Sequence, residues 1–121
     1  MIKSFTDLDA WKEGHKLVLK IYEATSQFPD NERFGLINQI RRAVVSITSN
    51  ISEGFSRQSD KEKINFFYTA LGSLTEVHNQ LLISRDFSYI NKEFFKDLAS
   101  LTVLVSNLVI GLIKNLKKHN T

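Results

Sequence analysis

The segment Ile37–Ile51 reads INQIRRAVVSITSNI, and its large aliphatic residues step alternately by three and four positions. A helix places residues with this spacing on one face, as in a helix that buries the seam of a bundle. The predicted seam consists of Ile37, Ile40, Val44, Ile47 and Ile51. The alternation of a half-buried strand is absent from the segment, which therefore predicts an α-helix.

The same spacing recurs in three other parts of the chain. The predicted seams are Leu8, Trp11, His15, Val18, Tyr22 and Thr25 in the first part, Ile64, Phe67, Leu71, Leu74, His78 and Leu81 in the third, and Phe94, Leu98, Leu101, Val105, Leu108 and Leu112 in the fourth. Three signals separate these parts, namely the only proline, Pro29, a capping box that starts at Ser59, and Asn91 before the last seam. We predict helices over about residues 7–27, 32–56, 60–87 and 91–118. Because short connections make sequential helices antiparallel, the predicted fold is all-α, an up-down-up-down four-helix bundle.

Composition agrees with one globular domain over residues 1–121 and bears on the cellular setting. The chain has no cysteine, which excludes a disulfide scaffold and cysteine-ligated zinc and fits a reducing environment. Met1–Asp7 lacks the basic and apolar regions of a secretory signal. The longest uncharged stretch, Leu98–Ile113, is shorter than the roughly 20 residues of a membrane span. We therefore predict a cytoplasmic protein without a membrane partner.

Motifs of catalysis and of cofactor binding are not found in the sequence. No histidine follows a glutamate at the Glu-x-x-His spacing of di-iron bundles, and no glycine-rich phosphate loop occurs. Two of the three histidines, His15 and His78, fall on predicted seams and are predicted to be core residues rather than metal ligands. We predict no catalytic residue, no metal and no cofactor, and a protein that is not an enzyme.

The third and fourth helices have more apolar surface than one bundle requires. Apolar residues lie off the seam of the fourth helix at Val103, Leu104, Val109, Ile110 and Ile113, and the third helix has Phe66, Phe67 and Tyr68 in succession. Because an apolar residue that cannot face the core needs another cover, these residues predict a homo-oligomer. The alternative is that a small bundle simply exposes some apolar surface, as most proteins do.

Polar residues beside the seams have two compatible interpretations. In the structural one, Asn50, Glu53, Ser73 and Glu76 form a hydrogen-bonded network between the second and third helices, balanced by Arg42 or Arg57, and Gly72 allows close helix approach. In the functional one, guanidinium and ammonium groups contact phosphates, repeated by the symmetry of the oligomer. The candidate nucleic-acid-binding residues are Arg41, Arg42, Arg57, Lys114, Lys117 and Lys118. Residues 32–58 hold four basic and two acidic residues, and residues 90–121 hold five and two.

Several blocks resemble a known family over nearly the whole chain. They are Phe5-x-x-Leu8-x-x-Trp11, Phe28-Pro29-x-x-Glu32-x-Phe34-Gly35-Leu36, Gln39-Ile40-Arg41-Arg42-Ala43, Asn50-Ile51-Ser52-Glu53-Gly54 and Gly72-Ser73-x-x-Glu76. The chain resembles the bacterial four-helix bundle proteins encoded in 23S ribosomal RNA intervening sequences, although Ser52 stands where alanine is usual. It is also similar to the accessory variability protein of diversity-generating retroelements, a pentameric barrel that binds nucleic acid and a reverse transcriptase. The resemblance implies a homopentamer and makes Asn50, Glu53, Gly54, Gly72, Ser73 and Glu76 a family-motif polar network.

Together these observations predict a non-enzymatic, oligomeric bundle that binds structured RNA, such as ribosomal RNA, or a ribonucleoprotein through phosphate contacts. Guanidinium groups on a rigid helix suit phosphate geometry and do not read bases, so affinity should fall with salt. The alternative is a protein-interaction scaffold or accessory subunit that does not bind nucleic acid, in which the fourth helix and the third-helix aromatics dock a partner protein.

Overall fold

A computed structural model describes residues 1–119, and all the regular structure in that range is helical. The four long helices are α1 (Asp9–Thr25), α2 (Asn38–Ser56), α3 (Asp60–Asp86) and α4 (Lys92–His119). Short 3-10 turns occur at Phe5–Asp7 and Asp30–Glu32, and a single π-helical turn at Arg33–Ile37 leads directly into α2. The predicted all-α four-helix bundle is confirmed.

The helices pack in a cycle, in which each one lies mainly against two neighbours. α1 packs on α2 and α4, and α3 packs on the same two helices from the other side, with the most extensive contact between α2 and α3. Only three residues separate α2 from α3, and five separate α3 from α4. Such short connections allow only antiparallel neighbours, which gives the up-down-up-down order.

Side chains cap two of the helices where the sequence predicts their starts. The Ser59 hydroxyl accepts a hydrogen bond from the Glu62 backbone N–H at 3.1 Å, and the Asn91 side-chain oxygen accepts one from the Phe94 N–H at 2.8 Å. The Glu62 carboxylate accepts from the Ser59 hydroxyl at 3.1 Å and does not reach back to the Ser59 backbone. Each cap satisfies a first-turn N–H that has no partner within its own helix.

The core contains the predicted seam of α2 almost unchanged, because Ile40, Val44, Ile47 and Ile51 are buried and Ile37 is half-buried. In α1 the buried face lies one position away from the predicted seam. The buried residues of α1 are Ala10, Gly14, Leu17, Ile21, Ala24 and Thr25. Thr25 belongs to both sets, but otherwise this face repeats with the same spacing as the predicted one and lacks Trp11, His15 and Tyr22, so it is the face that bundle packing buries.

The prediction of core histidines is wrong, because both seam histidines are exposed. His15 stacks on the Trp11 ring with 4.7 Å between ring centroids, outside the core. His78 lies on the solvent side of α3, whose core face is formed by buried residues such as Leu74, Val77 and Leu81. An imidazole keeps its hydration at such positions, whereas a seam position would require a buried hydrogen-bond partner.

The apolar residues that lie off the predicted seam of α4 are found partly in the core and partly on the surface. Val109 and Ile113 belong to the core, whereas Val103 and Leu104 are 50% and 43% exposed. By length and composition alone α4 is apolar enough to cross a membrane, and core helices of soluble proteins pass the same test. In the bundle α4 packs against α1 and α3.

Candidate functional site

Arg41 projects from the first turn of α2 onto the end of α1. Its Nε donates to the Thr25 hydroxyl at 2.8 Å, and its Nη2 donates to the Tyr22 carbonyl at 3.3 Å. The guanidinium carbon lies 4.5 Å from the centroid of the Tyr22 ring. A cation beside the last turn of a helix faces the negative end of the helix dipole, so Arg41 joins α2 to the end of α1 through favourable contacts.

Arg42, the next residue, is exposed and has no such attachment. Within residues 1–119 it makes no hydrogen bond and no ion pair. It borders an open cleft of about 420 Å³, here called the Arg42 cleft. The lining residues are Tyr22, Asn38, Arg41, Arg42, Val45, Ser46 and Ser49. A second cleft shares Asn38, Arg42 and Ser46 with the first and is also lined by Glu76.

Arg57 lies far from this pair, because it follows the last residue of α2, 15 positions after Arg42. That spacing corresponds to about 22 Å along a helix with a rise of about 1.5 Å per residue. The Arg57 guanidinium pairs with the Glu53 carboxylate at 2.9 Å and lies 4.7 Å from the centroid of the Phe66 ring. Its charge is therefore already partly balanced within α2.

The lysines of α4 belong to the same end of the bundle as Arg57. Lys117 donates to the Tyr68 hydroxyl at 2.6 Å and lies 5.2 Å from the centroid of that ring. Lys114 and Lys118 are exposed in the last two turns of α4. The six candidate nucleic-acid-binding residues thus form two groups, with Arg41 and Arg42 near the start of α2 and the other four at the opposite end of the bundle.

Part of the predicted polar network is present, and Ser46 is at its centre. The Asn50 amide donates to the Ser46 hydroxyl oxygen at 3.0 Å and to the Ser46 carbonyl at 2.8 Å. From α3 the buried Ser73 hydroxyl donates to the Ser46 hydroxyl oxygen at 2.9 Å. These hydrogen bonds link α2 to α3 beside the Arg42 cleft and fix one of its walls.

The two carboxylates predicted for this network do not join it. Glu53 pairs with Arg57, and Glu76 accepts a 3.4 Å hydrogen bond from the Gln80 amide one turn further along α3. The other side-chain atom of that amide, Gln80 Oε1, is buried without a hydrogen-bond partner in the structure. Arg42 is not paired with Glu76, although both border the second cleft.

The two family-motif glycines have opposite surroundings. A Cβ atom added to Gly54 would lie 2.7 Å from Phe67 Cε1, so the absence of a side chain allows the close contact between α2 and α3. A Cβ atom on Gly72 would meet nothing within 4 Å. The predicted close helix approach at Gly72 is therefore wrong within the subunit, since α3 turns this position to solvent.

Two residues that line the Arg42 cleft, Tyr22 and Ser46, have contacts that the sequence does not predict. Tyr22 is exposed rather than part of the α1 core and contacts Arg41, and Thr25, which is buried as predicted, also accepts a hydrogen bond from Arg41. Ser46 is not among the residues of the predicted network, yet its hydroxyl oxygen accepts hydrogen bonds from both Asn50 and Ser73. Only the recurrence of small polar residues at helical spacing in α2 could have indicated Ser46.

Acidic and imidazole side chains do not gather in the described part of the chain. Within residues 1–119 no group of three or more such side chains is placed to hold a metal ion. Outside the Arg42 cleft, the Tyr89 hydroxyl donates to the Glu32 carboxylate at 2.9 Å. That hydrogen bond, together with burial and the carboxylate charge, raises the pKa of Tyr89.

Comparison with known proteins assigns the family. Residues 6–111 match the family model described as 23S rRNA-intervening sequence protein. A crystal structure of a protein of unknown function from the S23 ribosomal protein family of Bacteroides thetaiotaomicron is similar in fold, with a TM-score of 0.80 and 24% identity over 87% of this chain and 95% of that chain. No curated protein matches the sequence. Because the family model spans most of the bundle, including α1, α2 and α3 in full, the chain belongs to the 23S rRNA-intervening sequence protein family.

Proposed function

We propose that this protein is a non-enzymatic, cytoplasmic homo-oligomer that binds structured RNA or a ribonucleoprotein through phosphate contacts. The observation that favours this function most is Arg42, an exposed guanidinium without an internal partner in the described chain, beside the anchored cation Arg41. Both side chains project from the same rigid helix, α2. The description of the family to which the chain belongs refers to 23S rRNA. The other four candidate residues, at the opposite end of the bundle, supply a second group of cations at a distance.

The physical basis of the proposed binding is electrostatic. Each guanidinium that contacts a phosphate releases counterions, so the affinity for RNA depends steeply on salt. Arginine suits this role because its planar fork matches phosphate oxygens and its charge is permanent. Phosphate contacts alone carry no sequence information, so the protein is expected to select RNA by shape.

The test is gel filtration coupled to light scattering, with and without a structured fragment of 23S rRNA. At about 50 mM salt we expect a complex, and at about 200 mM salt we expect it to dissociate, because phosphate contacts weaken over this range. An RNA affinity that does not change with salt, or the absence of a complex at low salt, would contradict the proposal.

Charge reversal makes the test specific to α2. The double substitution Arg41→Glu and Arg42→Glu should abolish RNA binding at low salt while the mass of the free protein stays the same. The matched control reverses two exposed lysines elsewhere, Lys61→Glu on α3 and Lys96→Glu on α4, with the same change in net charge. Equal loss of binding in both variants would show that only the overall charge matters.

A second candidate function rests on the exposed residues Val103 and Leu104 of α4. Exposed apolar side chains on a helix surface suit a protein partner, in which case the protein is a scaffold without direct RNA contacts. The third-helix aromatics are less suited to docking, because Phe67 is buried and Phe66 and Tyr68 each lie under a cation. If the protein is a scaffold, the Arg41→Glu and Arg42→Glu variant should retain its protein partner, whereas if it binds RNA the same variant should lose RNA.

A further inference from the structure

The Arg42 cleft concentrates hydrogen-bond donors without a neutralising acid. No carboxylate lines this cleft within the described chain, whereas two guanidinium groups, the Asn38 amide and the Ser49 hydroxyl do. Anionic oxygens are the complement of such a surface, and a phosphate offers several of them to a guanidinium fork. The cleft is open to solvent, so a large or a small phosphate compound can enter it.

The two arginines at this cleft are in different states. Arg41 already donates to Thr25 and to the Tyr22 carbonyl and lies against the Tyr22 ring. The Arg42 guanidinium donates no hydrogen bond within residues 1–119. Binding a ligand through Arg42 therefore breaks no internal bond and leaves the side chain able to turn toward the ligand. Arg41 keeps three of its five N–H donors, but its two internal hydrogen bonds fix the position of its guanidinium.

The acid that borders the neighbouring cleft together with Arg42 accepts a hydrogen bond from another residue. Glu76 borders the neighbouring cleft and accepts from the Gln80 amide, while Arg42 lies where the two clefts meet. The opposite arrangement occurs at the far end of α2, where Arg57 is paired with Glu53 at 2.9 Å. Of the two ends of this helix, only the first presents an unpaired guanidinium.

We propose that the Arg42 cleft is a phosphate-binding site in which Arg42 contacts the phosphate and Arg41 is a positioning residue that keeps the wall of α1 and a second positive charge in place. For a phosphate of RNA the inference rests on the proposed function above. For a free phosphate compound it stands independently, since the same donors would bind it. Arg57 is not part of this phosphate-binding site.

Three single variants separate Arg42 from the other arginines. Arg42→Gln should weaken binding of the 23S rRNA fragment and reduce the slope of log affinity against log salt by about one for each Arg42 that contacts the RNA. Arg57→Gln is the control, because Arg57 is paired with Glu53 within the chain. The slope of log affinity against log salt should be the same for Arg57→Gln as for the unchanged protein. Arg41→Gln should weaken binding and also lower the thermal unfolding midpoint, which Arg42→Gln should leave unchanged.

A second measurement identifies the source of the phosphate. Inorganic phosphate is titrated into the protein against sodium chloride at equal ionic strength, and the arginine side-chain signals are followed by NMR. A shift of the Arg42 signals that disappears in Arg42→Gln supports a site for free phosphate compounds. Binding of RNA that depends on Arg42, without a response to inorganic phosphate, supports a site for RNA phosphates.

Two outcomes would overturn the inference, and they differ in meaning. If the RNA binds with the usual salt slope in Arg42→Gln but not in Arg57→Gln, the proposed function stands and the location of the site is wrong. If neither RNA nor inorganic phosphate binds the unchanged protein, the site and the proposed function both fail.

Discussion

Replacement by alanine should have opposite effects on stability at Gly54 of α2 and at Gly72 of α3. We expect Gly54→Ala to lower the free energy of unfolding by about 1–3 kcal/mol, as overpacking of a core contact does. The added Cβ would lie 2.7 Å from Phe67 Cε1, so the ring or the helix must move. The measurement is urea unfolding at a fixed protein concentration, since association also affects apparent stability.

Gly72→Ala is the matched control, because its Cβ would meet nothing within 4 Å. Alanine is favoured over glycine inside a helix by about 0.5–1 kcal/mol, so this variant should be more stable than the unchanged protein. A destabilised Gly72→Ala protein with a smaller mass by light scattering would mean that another subunit covers this position.

At the residue scale, the sequence predicts local partners better than distant ones. Glu53 and Arg57 are four positions apart on one helix, and this spacing alone indicates the ion pair that they form. Arg41 instead binds residues 16 and 19 positions earlier in the chain, and these contacts depend on how α1 and α2 are rotated. Helical spacing does not specify that rotation, so the different states of Arg41 and Arg42 could not be predicted.

At the element scale, one hydrogen bond joins the two connections at the same end of the bundle. Glu32 precedes α2 and accepts from the Leu36 N–H at 3.3 Å, while its second oxygen accepts from the Tyr89 hydroxyl between α3 and α4. The neutral hydroxyl donates this bond, so the carboxylate raises the pKa of Tyr89 above its ordinary value of 10.0.

This link makes stability depend on pH in the alkaline range. Because the pKa is higher in the folded state, the contribution of Tyr89 is complete below the unfolded value and is lost as the pH rises through the folded value. We expect the alkaline loss of stability to be smaller in Tyr89→Phe. Ultraviolet difference titration against that variant should give a Tyr89 pKa above 10.0, which falls toward 10.0 in Glu32→Gln. An unchanged pKa in Glu32→Gln would contradict the link.

The buried faces of α1 and α2 show where the spacing of apolar residues predicts the core and where it does not. The sequence predicts the seam of α2 correctly because, apart from the exposed Val45, its large aliphatic residues lie on one face. α1 offers two interleaved faces with the same spacing, and the face with Trp11, His15 and Tyr22 has the larger side chains. The face with Ala10 and Gly14 is buried instead, since small residues let α1 approach α2, where a Cβ on Gly14 would lie 3.2 Å from Thr48 Cγ2.

At the scale of the whole molecule, short connections determine the architecture of the subunit. They force neighbouring helices to be antiparallel, so four amphipathic segments lead to one bundle whatever the rotation of each helix. The positions of the two basic groups follow from the length of α2, which separates Arg42 from Arg57. Assembly depends on which apolar side chains stay exposed, and the sequence overestimated that set on α4 because Val109 and Ile113 are in the core.

The proposed homopentamer, the number of subunits that the resemblance implies, gives the last prediction. Val103 and Leu104 are 50% and 43% exposed on α4, and burial against another copy would remove their apolar area from water. We expect Val103→Asp with Leu104→Asp to reduce the mass by light scattering to that of one subunit and to keep the helical circular dichroism, because neither residue is a core residue. Ile83→Asp, an exposed aliphatic residue of α3 that is 37% exposed, is the control and should leave the mass unchanged. A variant that keeps the full mass would remove this α4 surface from the interface, and a monomeric unchanged protein would contradict the oligomer itself.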